Sequence, residues 1–213
     1  MVDTLDLAYG RITELVGGLS DRDLLAATRC HGWGVAEVLN HLLHDAQRAL
    51  VAFATPHPGP ADRDSVSYWA AFGAADSSTR GTWSVKRSTA AFMNGRGAVM
   101  LWQQTAPAAV RAAARADGYV TTQGHVLTVP DFVATLVTEA VIHHLDLIVH
   151  LPDAPAPDPA ALAVAVETLD GLLARKAAGV ARPAGWSAED YVLCATGRER
   201  VTGPLSELLP LLS

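Results

Sequence analysis

Phe132-Val-Ala-Thr-Leu-Val-Thr-Glu139-Ala-Val-Ile-His143-His144-Leu-Asp146-Leu-Ile-Val-His150 is apolar almost throughout, and its charged and imidazole residues recur at helical intervals. At about 100° per residue, Glu139, His143, Asp146 and His150 share one sector roughly 60° wide. Val137, Val141, Leu145 and Ile148 cover the other side, so the spacing predicts a central helix, apolar nearly all round. A carboxylate and an imidazole at i and i+4 have Cβ atoms about 5–6 Å apart, which lets Glu139 and His143 converge on one ion with bonds near ~2 Å. A buried charged pair in such a helix costs several kcal/mol unless something compensates it, and a metal would.

A third ligand is sought in Gly32-Trp33-Gly34-Val-Ala-Glu-Val-Leu-Asn-His41-Leu-Leu-His44-Asp45. Its apolar stripe is Val35, Val38, Leu39, Leu42, Leu43, Ala46 and Leu50, with His41 on the flank and His44 roughly opposite the centre. His41 is therefore expected to turn inward and His44 to meet water. Either histidine taken alone reads more simply as an interfacial residue that binds nothing, and a single Glu-x-x-x-His occurs on helices by chance. Trp33 is expected to anchor the entry of its helix into the core rather than to touch a ligand.

The combination is more specific than its parts. Cys30-His-Gly-Trp33 followed by Leu39-Asn-His41-Leu42, then Glu139-Ala-Val-Ile-His143-His-Leu-Asp146-Leu147, and more faintly Ala195-Thr-Gly197-Arg198, resemble the DinB-like metal-binding four-helix bundles. Within them the pattern is similar to the mycothiol-dependent maleylpyruvate isomerase family. The resemblance covers most of the chain and implies His41, Glu139 and His143 as metal ligands. It implies a mainly α, up-and-down four-helix bundle, with a divalent metal, zinc being expected, and mycothiol as cofactors. One departure is His144, whose position is often small in relatives; it either narrows the site or adds a polar group.

Length and composition agree with such a fold. With 213 residues, 50% of them hydrophobic, the chain can bury a substantial core. The expected division is a metal-binding helical bundle over 1–151 and, after the proline-rich linker Leu151–Pro159, a helix with a small α/β extension over 158–213. A net charge of −6 without a Lys/Arg run argues against nucleic acid as a partner. The start lacks a signal-peptide pattern and no stretch reaches the ~18 apolar residues of a membrane span, so a cytoplasmic monomer or homodimer is expected. Cys30 and Cys194 lack metal-knuckle spacing and read as reduced thiols; Cys30 lies just upstream of the Trp33 helix, inside or outside the site.

Further helices are expected over 3–17, from after Gly32-Trp33 to about Ala54, from about Trp83 to Ala116 with weak points at Gly95, Gly97 and Pro107, and from Pro159 to about Lys176. Thr55–Pro60 reads as a loop, Tyr119–Pro130 as β-rich, and the Phe92, Met93, Met100, Leu101 and Trp102 cluster as core. Short mixed segments are expected around Trp186, Tyr191–Ala195 and Arg200–Thr202, an α/β tail packed on the bundle.

Two His and one Glu fill three positions of a tetrahedral zinc and leave the fourth for a ligand, as in reactive sites. The resemblance implies that this position receives the thiol of mycothiol, whose thiolate adds to an activated C=C, allows rotation, and is eliminated to give the trans isomer. The same thiolate retained on an electrophile would make a thiol S-transferase. Arg198 is the candidate for holding a substrate carboxylate through its guanidinium fork, or else a surface residue in a turn. Asp146, i+3 from His143, either orients the imidazole or is a structural acid. The competing class is a non-enzymatic metal-binding scaffold or regulatory protein.

Overall fold

The structure, a computed structural model, describes residues 1–72 and 78–212. Four long helices form a bundle: α1 (Val2–Gly17), α3 (Val35–Ala54), α6 (Arg96–Ala113) and α7 (Val129–Ile148). α1 and α3 each pack on both α6 and α7, so the order around the ring is α1, α6, α3, α7. Short helices α2 (Asp21–Leu24), α4 (Ser65–Phe72) and α5 (Ser78–Thr89) lie in the connections. No helix among the described residues is long and apolar enough to cross a membrane.

Local chemistry sets the ends of these elements. Ser20 accepts from the Asp23 backbone N–H while Asp23 accepts from that of Ser20, a reciprocal box that starts α2. Gly34 precedes α3 and gives its N–H to Glu37 at 2.8 Å. Thr128 accepts from the Asp131 N–H and Pro130 sits in the first turn of α7, where its missing donor costs nothing. The core joins Leu5 and Ile12 of α1, Leu39 and Leu42 of α3, Trp102 of α6 and Phe132 and Leu147 of α7. Trp102 lies edge-on to Tyr9 at 5.0 Å and donates its indole N–H to Thr13 at 3.0 Å.

The β-rich expectation over 119–130 becomes a hairpin, β2 (Tyr119–Thr122) with β3 (His125–Thr128). Its turn residues Gln123 and Gly124 both have positive φ, 48° and 83°, which suits the strand twist. The proline-rich loop also contributes: β1 (Pro56–His57) pairs antiparallel with β2 at the sheet edge.

Several expectations are corrected. The single helical region 83–116 is two helices, broken between Thr89 and Arg96. There Gly95 approaches α3's neighbourhood so closely that a Cβ would meet Leu24 at 3.0 Å and Ala36 at 3.5 Å, while α6 runs through Pro107. Trp102 is core, but Met93, Met100 and Leu101 are exposed. The extension beyond 158 has no strand among its described residues: after α8 (Pro159–Lys176), Tyr191–Ala195 is the body of α9 (Ala188–Ala195). Ser187 accepts from the Asp190 N–H and caps that helix, which overrides the β-propensity of Tyr191 and Val192. α8 packs on α1, α4 and α7, and α9 on α7 and α8. Their buried Leu169, Tyr191 and Val192 join the same core as the bundle.

Candidate metal centre

α3 and α7 are neighbours, and the facing flanks of the two helices bring together His41, Glu139 and His143. One carboxylate oxygen, Glu139 Oε1, lies 2.8 Å from His41 Nε2 and 3.3 Å from His143 Nε2. The two rings meet edge to face with centroids 4.7 Å apart. All three donor atoms lie within 4.8 Å of one another. Ligands bonded at about 2.0–2.2 Å around a tetrahedral ion stand roughly 3.4 Å apart, so this set fits one divalent ion with little movement. The side chains are 26% (His41), 16% (Glu139) and 9% (His143) exposed, which leaves the His41 side the most accessible. Trp33 packs its indole on the His41 ring at 5.6 Å, so it touches a ligand candidate as well as the core.

The electrostatics match an acid that lacks a permanent counter-charge. Burial alone would push the Glu139 carboxyl up, but His143 and His41 hold it well below the usual range. Burial pushes His143 down, yet Glu139 and the hydrogen bond to Asp146 hold it well above an ordinary imidazole. The metal-free centre is therefore a carboxylate–imidazolium pair with His41 alongside.

The other side of the His143 ring is different. His143 Nδ1 lies 2.9 Å from Asp146 Oδ2, and Asp146 is fully buried. The same carboxylate accepts from Arg198 Nε at 3.1 Å, Arg198 Nη2 at 3.0 Å and Cys30 Sγ at 3.1 Å. Burial pushes Asp146 up, and its contacts with His143 and Arg198 hold it well below the usual range instead. Arg198 gives a further N–H to Thr196 O at 2.8 Å. Cys30 Sγ stands 3.7 Å from His143 Nδ1, so Cys30, His143 and Asp146 form a second group of ligand-type atoms within 4.8 Å of one another. An arginine already neutralises that group.

Arg198 and Cys30 also line a cavity of about 570 Å³, together with Arg29, His31, Arg200 and Ser206. Its wall includes none of His41, Glu139 and His143. Arg29 closes the end of α7 as well, donating from its side chain to Leu145 O and from its backbone to Asp146 O at 3.3 Å.

The remaining histidines fall outside the centre. His144 is buried with burial pushing its pKa down, so the neutral ring donates its Nε2–H to Pro155 O at 2.8 Å and pins the linker. It neither narrows the triad nor adds a polar group to it. His44, expected in water, is half-buried, and His150 is exposed. One residue passed over in the sequence is Asp45, buried at i+4 from His41 and held by Arg48 at 2.8 Å. Burial and the neighbouring Glu139 push its carboxyl up. The spacing rule that picks out Glu139 and His143 also picks out His41 and Asp45.

A family model described as the mycothiol maleylpyruvate isomerase N-terminal domain matches residues 5–148. The crystal structure of a mycothiol-dependent maleylpyruvate isomerase is similar at a TM-score of 0.61 and 14% identity, covering 93% of this chain and 88% of that one. A histidine-to-alanine mutant of a mycothiol-dependent maleylpyruvate isomerase is similar at a TM-score of 0.60, with the same identity and coverage. At this identity the likeness shows the fold. No curated protein matches the sequence.

Proposed function

The chain belongs to the mycothiol maleylpyruvate isomerase N-terminal domain family, and from that membership and the geometry of its centre we propose that it is a zinc- and mycothiol-dependent isomerase of the maleylpyruvate isomerase kind. Its proposed substrate is a small carboxylate-bearing electrophile, and its proposed place is the cytoplasm. The observation that carries the reading is the convergence of His41 Nε2, Glu139 Oε1 and His143 Nε2 on one point between α3 and α7. A divalent ion held there supplies a Lewis-acidic position at which a thiol is stabilised as thiolate near neutral pH.

The chain's own residues supply the rest. Glu139 brings the one negative charge of the set, while neutral His41 and His143 bring none. His143 offers Nε2 because its Nδ1–H is held by Asp146. Arg198 uses three N–H groups on Asp146 and Thr196, which leaves two of the guanidinium's five for a substrate carboxylate in the cavity. Arg29 and Arg200 at the cavity wall outnumber its one acid, Glu199, which stands 4.0 Å from Arg29, so the wall is net positive in a protein whose net charge is −6, which favours an anionic substrate there. In this division 1–151 is the metal-binding bundle and 158–213 the extension that contributes Arg198.

Tag-free protein should hold one divalent ion per chain, and mycothiol should raise the melting temperature of metal-loaded but not of chelated protein. Maleylpyruvate should turn over only with thiol and metal together. A stable thiol conjugate as product would make the protein an S-transferase. Metal binding without thiol-dependent turnover would favour the scaffold reading, and no ion after reconstitution with zinc, nickel or iron would sink the centre itself.

A further inference from the structure

We infer that Arg198 is a positioning residue of the metal centre: by clamping Asp146 it fixes the His143 ring with Nε2 aimed at Glu139, so the C-terminal extension completes a centre whose ligands all lie in the bundle. The inference rests on the reading of His41, Glu139 and His143 as metal ligands.

An imidazole touched only at Nε2 can turn about its outer torsion, and a half-turn puts ring carbons where its nitrogens stood, Cδ2 for Nδ1 and Cε1 for Nε2. Asp146 removes that freedom by holding Nδ1 at 2.9 Å. A carboxylate held by one bond would in turn rotate, because that terminal torsion is broad. Three contacts stop it: Arg198 reaches Oδ1 through Nε and Oδ2 through Nη2, a side-on fork that sets the carboxylate plane, and Cys30 Sγ reaches Oδ2. Arg198 is itself anchored. Its backbone N–H donates to Leu193 O at 2.8 Å, and its Nη1 donates to Thr196 O at 2.8 Å. Gly197 before it has φ of +72°, a backbone that L side chains rarely adopt and that turns the chain from α9 back towards α7. The Arg198 side chain is 16% exposed and that of Asp146 is 0% exposed, so water does not replace the fork. A line of fixed contacts thus runs from the end of α9 through Arg198 and Asp146 to the ring that faces Glu139.

The test is zinc affinity by competition with a chelating indicator, for wild type, Arg198→Met, Arg198→Lys, Asp146→Asn and the Arg198→Met/Asp146→Asn double variant. Arg198→Met keeps most of the side chain's length and removes every N–H; partners of metal-binding histidines contribute about 10–100-fold, so a loss of about tenfold is expected. Arg198→Lys keeps the charge without the fork and should lose several-fold, and it decides the question where the Met variant does not fold. In the Asp146→Asn background the Met substitution should add nothing, because the path is already cut. In wild type, nitrogen-15 NMR of the histidine rings should show the His143 Nδ1 proton protected from exchange; in the Arg198 variants that protection should be lost. A folded Arg198 variant with wild-type zinc affinity and a protected Nδ1 proton overturns the inference and leaves the triad standing. Full additivity in the double variant also overturns it. A wild type that takes up no zinc removes the triad, and the inference with it.

Discussion

The two sides of the His143 ring carry similar atoms and opposite electrostatics. On the Nε2 side one carboxylate, Glu139, is shared between two imidazoles and no guanidinium or ammonium pairs with it among the described residues. On the Nδ1 side Asp146 is held by Arg198 through two hydrogen bonds, with a thiol added. Cys, His and Asp are as good a ligand set on paper as His, Glu and His. The difference lies in the resident charge: a carboxylate that already has a permanent cation gains little from a second, whereas one balanced by imidazoles alone gains an ion and gives up a proton.

The change that breaks this contrast most strongly is Glu139→Gln, which keeps volume and removes the only anionic member of the proposed ligand set. Zinc affinity should fall at least about 100-fold, or roughly 2.8 kcal/mol. The metal-free protein should lose a little stability too, because the depressed Glu139 pKa marks a contribution present above the unfolded carboxyl range. The gap between metal-loaded and metal-free melting temperatures should therefore close. A variant that melts lower in both states while keeping its zinc would make Glu139 a structural acid.

Proton coupling is the next largest effect. His143 is held above the ordinary imidazole range, so binding an ion near neutral pH must displace its proton. Affinity should rise with pH by up to about one decade per unit until that raised value is passed. In the metal-free protein the signs are separate: the His143 contribution is full at low pH and lost as pH rises through the raised value, and the Glu139 contribution is lost as pH falls through the depressed one. Calorimetry in buffers of different ionisation enthalpy should count close to one proton released per ion; a count of zero would mean that the ring is already neutral.

Cys30→Ser probes the other side directly. Serine also donates to Asp146, so zinc affinity should change less than about threefold, under ~0.7 kcal/mol, with one ion still bound per chain. A collapse in stoichiometry would move the metal to Cys30, His143 and Asp146. Smallest of all, His44→Ala and His150→Ala should leave zinc affinity unchanged and shift stability by no more than about 0.5 kcal/mol for the exposed His150. Loss of metal in the His44 variant would mean that α3 presents the other histidine.

Helical phasing made much of this readable before any fold was known. Glu139 and His143 are one turn apart on α7, and a period of about 3.6 residues places them together whatever surrounds the helix. The inward flank of His41 follows from the stripe formed by Val38, Leu39 and Leu42, and the start of α7 from Thr128 and Pro130. Where local chemistry had two answers, the sequence did not decide. Tyr191–Ala195 has β-forming residues behind a serine cap, and the cap prevailed; Met93 and Met100 read as core beside Trp102, yet only Trp102 found a partner helix to bury it.

Long-range pairing belongs to the tertiary structure. That His41 meets Glu139 across 98 residues depends on α3 and α7 being neighbours, which the order around the bundle sets. That Arg198 faces Asp146 across 52 residues, and so has part of its fork already filled, depends on where α9 docks. A charge pattern along the chain names the ions available for pairing. Which ions neutralise one another, and so which carboxylate still lacks a permanent cation, is decided by distance in space, because Coulomb attraction and desolvation act between neighbours in the fold rather than neighbours in the chain.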